Sequence, residues 1–215
     1  TYTLTQENVG RRYAMLLMRT QVNVMDPDDL AIVHSLQDQL KIEQKDKGSY
    51  APSGNWDMDE VLAMRAKYQK IAQDEGISSE VMFGKKGQVP LKEHNAGTAV
   101  GWGGLTAERT VYPIIYPETT EPQVLNLKDV PAGAFWSVTV YDAEGYPQGD
   151  SYNINSAFAV ADKDGSYTIR FGGDKDAVNY MDVFKGWNIV LRIYEPTESY
   201  FNGEWVVPQL KMLTD

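Results

Sequence analysis

The feature that most constrains this chain is a change of hydrophobic period near Val111. Downstream, apolar residues alternate with polar ones in short runs at 110–116, 124–127, 134–141, 157–160, 167–171, 188–194 and 205–207. A period of two sends successive side chains to opposite faces of a strand. Turn clusters separate the runs: Asp142-Ala143-Glu144-Gly145, Asp162-Lys163-Asp164-Gly165 and Gly172-Gly173-Asp174. Asp164-Gly165 supplies the positive-φ residues of a tight hairpin. Short strands with regular turns and no helical interlude predict an antiparallel β-sandwich of jelly-roll type over residues 96–215.

Upstream the period is helical. Asp26 before Pro27 is an N-cap followed by proline at the first helical position, and Asp28 and Asp29 suit the positive end of the dipole. Leu30, Val33, Leu36 and Leu40 follow at helical spacing. Asp57 with Glu60 reads as a capping box. It opens a helix through Val61, Met64, Tyr68 and Ile71, with Gly76 at its end. A shorter helical piece is expected at 79–83, and a loop at 45–54. The run YAMLLMRTQVNV (13–24) is ambiguous: Met and Leu favour helix, while the alternation at Val22 and Val24 favours strand. The expected class is α+β, with a junction or leading strand at 1–25 and a helical segment at 26–95 packed on the sandwich.

Composition excludes several functions. A chain of 215 residues can bury a core without covalent staples, and the absence of cysteine removes disulfides and thiolate chemistry. Lys and Arg number 20 against 30 Asp and Glu, a net charge of −10 that repels nucleic acid, with no basic run as an exception. No apolar stretch approaches the roughly 20 residues that span a bilayer.

Motifs in the second half carry a family resemblance. AFWSVTVYDAEGY (134–146), DGSYTIRFGG (164–173), GWNIVLRIYEP (186–196) and NGEWVVP (202–208) occur in order, with AGTAVGWGG (96–104) upstream. Together they resemble the C-terminal member of a paired set of bacterial domains of unknown function, numbered 1254 and 1214, mainly the 1214 part. The resemblance covers roughly residue 26 to the end. It implies an extracytoplasmic, periplasmic protein and a preceding β-rich domain that leaves a strand within 13–23. The chain would then be the C-terminal part of a longer precursor, and exposed apolar residues near 13–17 could drive homo-oligomerisation. The resemblance brings no reaction, catalytic residue or cofactor. Relatives often have cysteines near 174–180, where this chain has none.

Individual residues suggest chemistry more weakly. His94 precedes the glycine-rich stretch Gly97 to Gly104, where a general base or a loop-bridging histidine would both fit. His34 lies on a helix beside its core stripe. The glycine stretch lacks the GK[ST] ending of a phosphate loop, so close packing around Trp102 is the simpler account. Asp162-x-Asp164-Gly165 and Asp174-x-Asp176 lack the further ligands of a calcium loop and suffice as turns, so no metal site is assigned.

The most suggestive cluster is Tyr141, Asp142, Glu144, Tyr146, Tyr152, Asn153 and Asn155, since tyrosine faces with amides and carboxylates suit a sugar. Asp142 and Glu144 could form a hydrolytic carboxylate pair, yet acids are also common in solvated turns. Trp136, Trp187 and Trp205 read as core. Arg192, between Leu191 and Ile193, should face away from both. There it would pair with an acid such as Glu195 or Glu204, or anchor a ligand carboxylate. Two functions follow as expectations. One is a non-enzymatic binding or envelope-associated module for a small polar or carbohydrate-like ligand, using Tyr141, Tyr146, Tyr152, Asn153, Asn155 and Arg192. The other is a polysaccharide hydrolase using His94, Asp142 or Glu144.

Overall fold

The computed structural model describes residues 1–10, 16–22, 26–46, 54–85, 87–101 and 103–213. The chain divides into two compact units, Thr1–Asn55 and Trp56–Asp215.

In the first unit, α1 (Gln6–Val9) is a single turn held by a capping box between Thr5 and Asn8. In α2 (Pro27–Asp38), Asp26 accepts the backbone N–H groups of Asp28 and Asp29, as its sequence demands. Residues 16–22 form neither helix nor strand. The remainder of the strand expected at 13–23 lies outside the described residues.

The second unit opens with three helices, α3 (Met58–Asp74), α4 (Ser79–Met82) and α5 (Leu91–Gly101). Asp57 caps α3 by accepting from Asp59 and Glu60. Helices α3 and α5 run antiparallel: Lys92 pairs with Glu75 at one end, and the Arg65 Nε–H donates to the Ala99 carbonyl at the other. Ala72, Met82 and Ala96 form a small buried cluster at this junction, with Ile77, Phe83 and Val100 against it. The stretch from Gly97 therefore corrects the sequence reading: it continues a helix instead of opening a loop. A β-carbon on Gly97 would lie 3.0 Å from the Met82 β-carbon and 3.2 Å from its carbonyl oxygen, so the glycine serves close approach of α5 to α4. Trp102 lies outside the described residues.

Strands follow in the order β1 (Thr110–Val111), β2 (Ile114–Ile115), β3 (Gln123–Leu127), β4 (Trp136–Tyr141), β5 (Asn153–Asn155), β6 (Tyr167–Phe171), β7 (Tyr180–Met181), β8 (Asn188–Tyr194) and β9 (Lys211–Met212), with the helical turn α6 (Glu198–Phe201) before the last. One sheet is ordered β1-β8-β4-β5, with β2 also pairing with β8; the other is ordered β7-β6-β3-β9. All pairings are antiparallel except β6 with β7.

Alternation builds the core. Val138 and Val140 of β4, and Ile189, Leu191 and Ile193 of β8, join Leu125, Leu127, Ile169 and Phe171 of the other sheet in one buried cluster. Trp136 packs edge-on to Tyr167 at 5.1 Å, and Phe171 lies 5.3 Å from Trp187. Each fully buried side chain of this size contributes roughly 1.5–3 kcal/mol.

Three expectations are corrected. The architecture is α+β with two sheets, but neither sheet closes into a barrel or jelly roll. Residues 157–160 form no strand, because Asn155 draws the chain into a turn by accepting the Ala157 N–H on its side chain and the Ala159 N–H on its carbonyl. Residues 205–207 are also irregular, and the strand forms later, at β9.

Candidate functional site

The face of β4 and β8 turned away from the core gathers several of the candidate residues. Since Val138 and Val140 point inward, Ser137, Thr139 and Tyr141 point outward. The pairing sets Ser137 opposite Arg192, Thr139 opposite Val190 and Tyr141 opposite Asn188. On the other side of β4, Asn155 stands opposite Ser137 and Asn153 opposite Thr139. Residues up to 55 positions apart in sequence thus meet on one polar face.

A hydrogen-bond chain runs across it. Arg192 donates through Nη1 to Thr139 Oγ1 at 3.1 Å and through Nη2 to the Tyr141 hydroxyl at 2.8 Å. Its guanidinium carbon also lies 5.7 Å from the Tyr141 ring centroid, within cation–π range. Asn153 donates from Nδ2 to Thr139 Oγ1 at 2.7 Å and to the Val138 carbonyl at 3.2 Å. Thr139 is 5% exposed and Ser137 6%, so the centre of the face is well packed even though Arg192 and Tyr141 keep partial exposure. Among the described residues, no carboxylate forms a salt bridge with Arg192, and neither Glu195 nor Glu204 is its partner. Glu195 instead pairs with Arg109 at 3.2 Å.

The remaining candidates lie elsewhere or serve the backbone. Asp142 ties its turn together: Oδ1 accepts from the N–H groups of Glu144 at 3.0 Å and Tyr146 at 2.8 Å, and Oδ2 accepts from the Gln148 amide. The Tyr146 N–H, followed by the Gln148 amide and the Glu144 N–H, outweighs desolvation and holds the Asp142 carboxyl below its ordinary range. A carboxylate so engaged is poorly suited to deliver a proton near neutrality. Glu144 is exposed on the same turn, and Tyr146 is 68% exposed beside it. Tyr152 is exposed, and its carbonyl accepts from Val140 N–H. The Asn155 side chain caps the following turn. His94 is exposed on α5 and His34 exposed on α2.

Both aspartate turns are satisfied internally. Asp164 accepts from the Ser166 hydroxyl at 2.7 Å and pairs with Lys128 at 3.0 Å, and Asp162 accepts from Thr168 at 2.6 Å. The Ser166 hydroxyl, with Lys128 and the Ser166 N–H, draws the Asp164 carboxyl down to about 2. Asp174 accepts from the Asp176 N–H. Among the described residues, no three His, Cys, Asp or Glu side chains converge as metal ligands.

Two carboxylates that the sequence did not single out hold long-range contacts. Asp182 accepts from the N–H groups of Ser151 and Asp150, each at 2.9 Å, and from the Tyr180 hydroxyl at 3.0 Å. The Ser151 N–H, ahead of the Tyr180 hydroxyl and the Asp150 N–H, lowers its pKa against a desolvation penalty. Glu80 accepts from the Tyr200 hydroxyl at 2.7 Å, joining α4 to α6. Burial, then the bond to Glu80, raises the Tyr200 hydroxyl well above the ordinary phenol range. Separately, a cleft of about 290 Å³ is lined by Pro117 to Thr120 and Lys185 to Trp187. It contains none of the candidate residues, and the Trp187 indole N–H is committed to the Thr119 carbonyl at 2.9 Å. No helix among the described residues is long and apolar enough to cross a membrane.

The fold has a solved counterpart. The VPA0106 protein from Vibrio parahaemolyticus is similar over 97% of this chain, at 17% identity and a TM-score of 0.54. That likeness concerns the fold alone, and the chain spans 61% of the Vibrio protein's length. A second structure, an uncharacterized protein from Burkholderia cenocepacia, overlaps 47% of this chain and 28% of its own at 17% identity and a TM-score of 0.38, too low to support an argument. No match is found among curated proteins. The family match is narrower than the motifs suggested and includes no 1254 domain: residues 120–198, which hold β3 to β8, match the family described as "Protein of unknown function (DUF1214)".

Proposed function

We propose that this chain is a binding module, not an enzyme, and that the outward face of β4, β5 and β8 receives a small polar or carbohydrate-like ligand. The observation that carries this reading is the convergence of Asn153 and Arg192 on Thr139 Oγ1, with Arg192 also donating to the Tyr141 hydroxyl, through direct hydrogen bonds. Side chains fixed in this way lose little freedom when a ligand arrives, which favours binding. Tyr141 offers an aromatic surface, and Asn153, whose two amide protons are used, presents its carbonyl oxygen as an acceptor. The face supplies hydrogen bonds and stacking but no proton-transfer pair. Asp142, the nearest acid in sequence, is occupied in its own turn. An extracytoplasmic location and an envelope-associated role rest on the family resemblance and belong to the same proposal.

A thermal-shift screen of the purified chain against neutral oligosaccharides and small carboxylates tests the reading. A ligand at 100 times its dissociation constant adds about 2.7 kcal/mol. A stabilisation that disappears in Asn153→Ala and Tyr141→Phe is the expected result. A ligand whose effect survives both substitutions, or no shift across the panel, would refute this face as the site.

A further inference from the structure

Among the described residues of its strands the polar face carries one charge, and its sign indicates what the ligand must bring. Arg192 is only partly exposed, yet the groups that hold it are neutral: the Thr139 hydroxyl, the Tyr141 hydroxyl and the Tyr141 ring. Among the described residues of β4 and β8, its neighbours on the outward face are Ser137, Thr139, Tyr141, Asn188, Val190 and Tyr194, all uncharged. This is unusual in a chain where acids outnumber bases by 30 to 20 and where Arg109, by contrast, has found Glu195. A partly desolvated cation held only by dipoles has an unmet electrostatic demand that an arriving anion would satisfy.

The donor count points the same way. A guanidinium has five N–H groups, of which Arg192 commits one to Thr139 and one to Tyr141. Tyr141 accepts that bond on its oxygen, so its own hydroxyl proton is left to donate outward. Thr139 Oγ1 accepts two of these bonds, and both Asn153 amide protons are spent within the chain of bonds. Around the fixed positive charge the face presents the remaining Arg192 donors and the Tyr141 hydroxyl, with the Asn153 carbonyl oxygen to one side. The planar fork of arginine fits a planar two-oxygen anion better than a neutral hydroxyl.

We infer that the ligand of this face bears a carboxylate, bound by the free N–H groups of Arg192 with the Tyr141 hydroxyl as a second donor. The inference rests on the binding-module reading and narrows it to acidic small molecules, among which a uronic acid combines a carboxylate with a carbohydrate ring.

Isothermal titration of the full chain with sodium glucuronate, sodium succinate and glucose at constant ionic strength tests it. At least one carboxylate should bind, with glucose weaker by tenfold or more. Arg192→Met should lose tenfold or more of that affinity. Arg192→Lys, which keeps the charge and guards against misfolding as an explanation, should also weaken binding, because an ammonium cannot form the fork. Circular dichroism and melting temperature verify that each variant folds. Absence of binding by both carboxylates overturns the inference, as does carboxylate binding that Arg192→Met leaves unchanged. Glucose binding as tightly as glucuronate, lost in Asn153→Ala but not in Arg192→Met, also overturns it while leaving the polar-ligand reading standing.

Discussion

Thr139 is the residue on which the polar face depends, and replacing it by valine isolates one atom. Valine matches threonine in shape and is at least as content in a strand, so backbone and packing terms nearly cancel. What is removed is Oγ1, the acceptor for Asn153 at 2.7 Å and Arg192 at 3.1 Å. In a buried setting a neutral hydrogen bond is worth about 1 kcal/mol and one from a charged donor about 1.5–3 kcal/mol. Two features reduce that sum. Asn153 retains its bond to the Val138 carbonyl, and Arg192 is exposed enough for water to replace part of what it loses. The expected net cost is therefore about 1–2 kcal/mol, or roughly 2–8 °C in melting temperature for a unit of this size. Urea unfolding of Thr139→Val against wild type measures it, with Thr139→Ser as a control that keeps the oxygen and should recover most of the loss. A valine variant as stable as wild type would show that Oγ1 does not organise the face, and with it the preorganisation argument would fall.

Other consequences can be tested alongside. Phe171→Ala removes a fully buried ring between the sheets and should cost about 3–5 kcal/mol by denaturant unfolding. Gly133→Ala places a β-carbon 2.8 Å from the backbone oxygen of Glu195, an atom with little room to retreat, so a loss of about 1–3 kcal/mol is expected in the same assay. Asp164 has a folded pKa of about 2 against an ordinary 3.8, so between those values the unfolded chain binds more protons than the folded one. Stability should be whole above about pH 5 and fall as pH drops towards 2; Asp164→Asn should flatten that limb of an acid titration followed by circular dichroism. Removing metal with EDTA should leave the melting temperature unchanged, and a fall would reveal an ion at a site that the described acids do not form.

Local signals in the sequence predicted the elements that local chemistry decides. Asp26 and Asp57 mark helix starts because capping needs only the next three residues. Strands β6 and β8 carry their bounds in their alternation. Helix α5 escaped because Gly97 and its small neighbours give almost no amphipathic contrast. Their smallness answers to Met82 and Phe83, a contact that depends on how α4 and α5 pack. Strands β5, β7 and β9, of two or three residues each, are too short to show a period and exist through their partners.

The site shows the same division. Alternation correctly turned Arg192 away from Leu191 and Ile193, but its partners depend on the register between β4 and β8, which no local pattern encodes. In WSVTVY, Thr139 reads as an ordinary polar position. Only the pairing of β4 with both β5 and β8 shows that two donors meet there.

The position of β8 has a consequence for how the chain is made. This one strand pairs with β1, β2 and β4, yet it follows all three in the chain and is synthesised after them. Until residue 194 has emerged, those three earlier strands lack their shared neighbour and leave hydrogen-bonding edges open to other chains. Assembly of this sheet must therefore wait until β8 has emerged, and its long-range pairings make it slow to form. A chain interrupted shortly before Asn188 would keep the residues of α1 to α5 and the β4–β5 pair but lose the strand that joins β4 to β1 and β2. Such truncated products should be recovered as aggregates and cleared by proteolysis, whereas chains cut after Pro208 would retain this sheet intact.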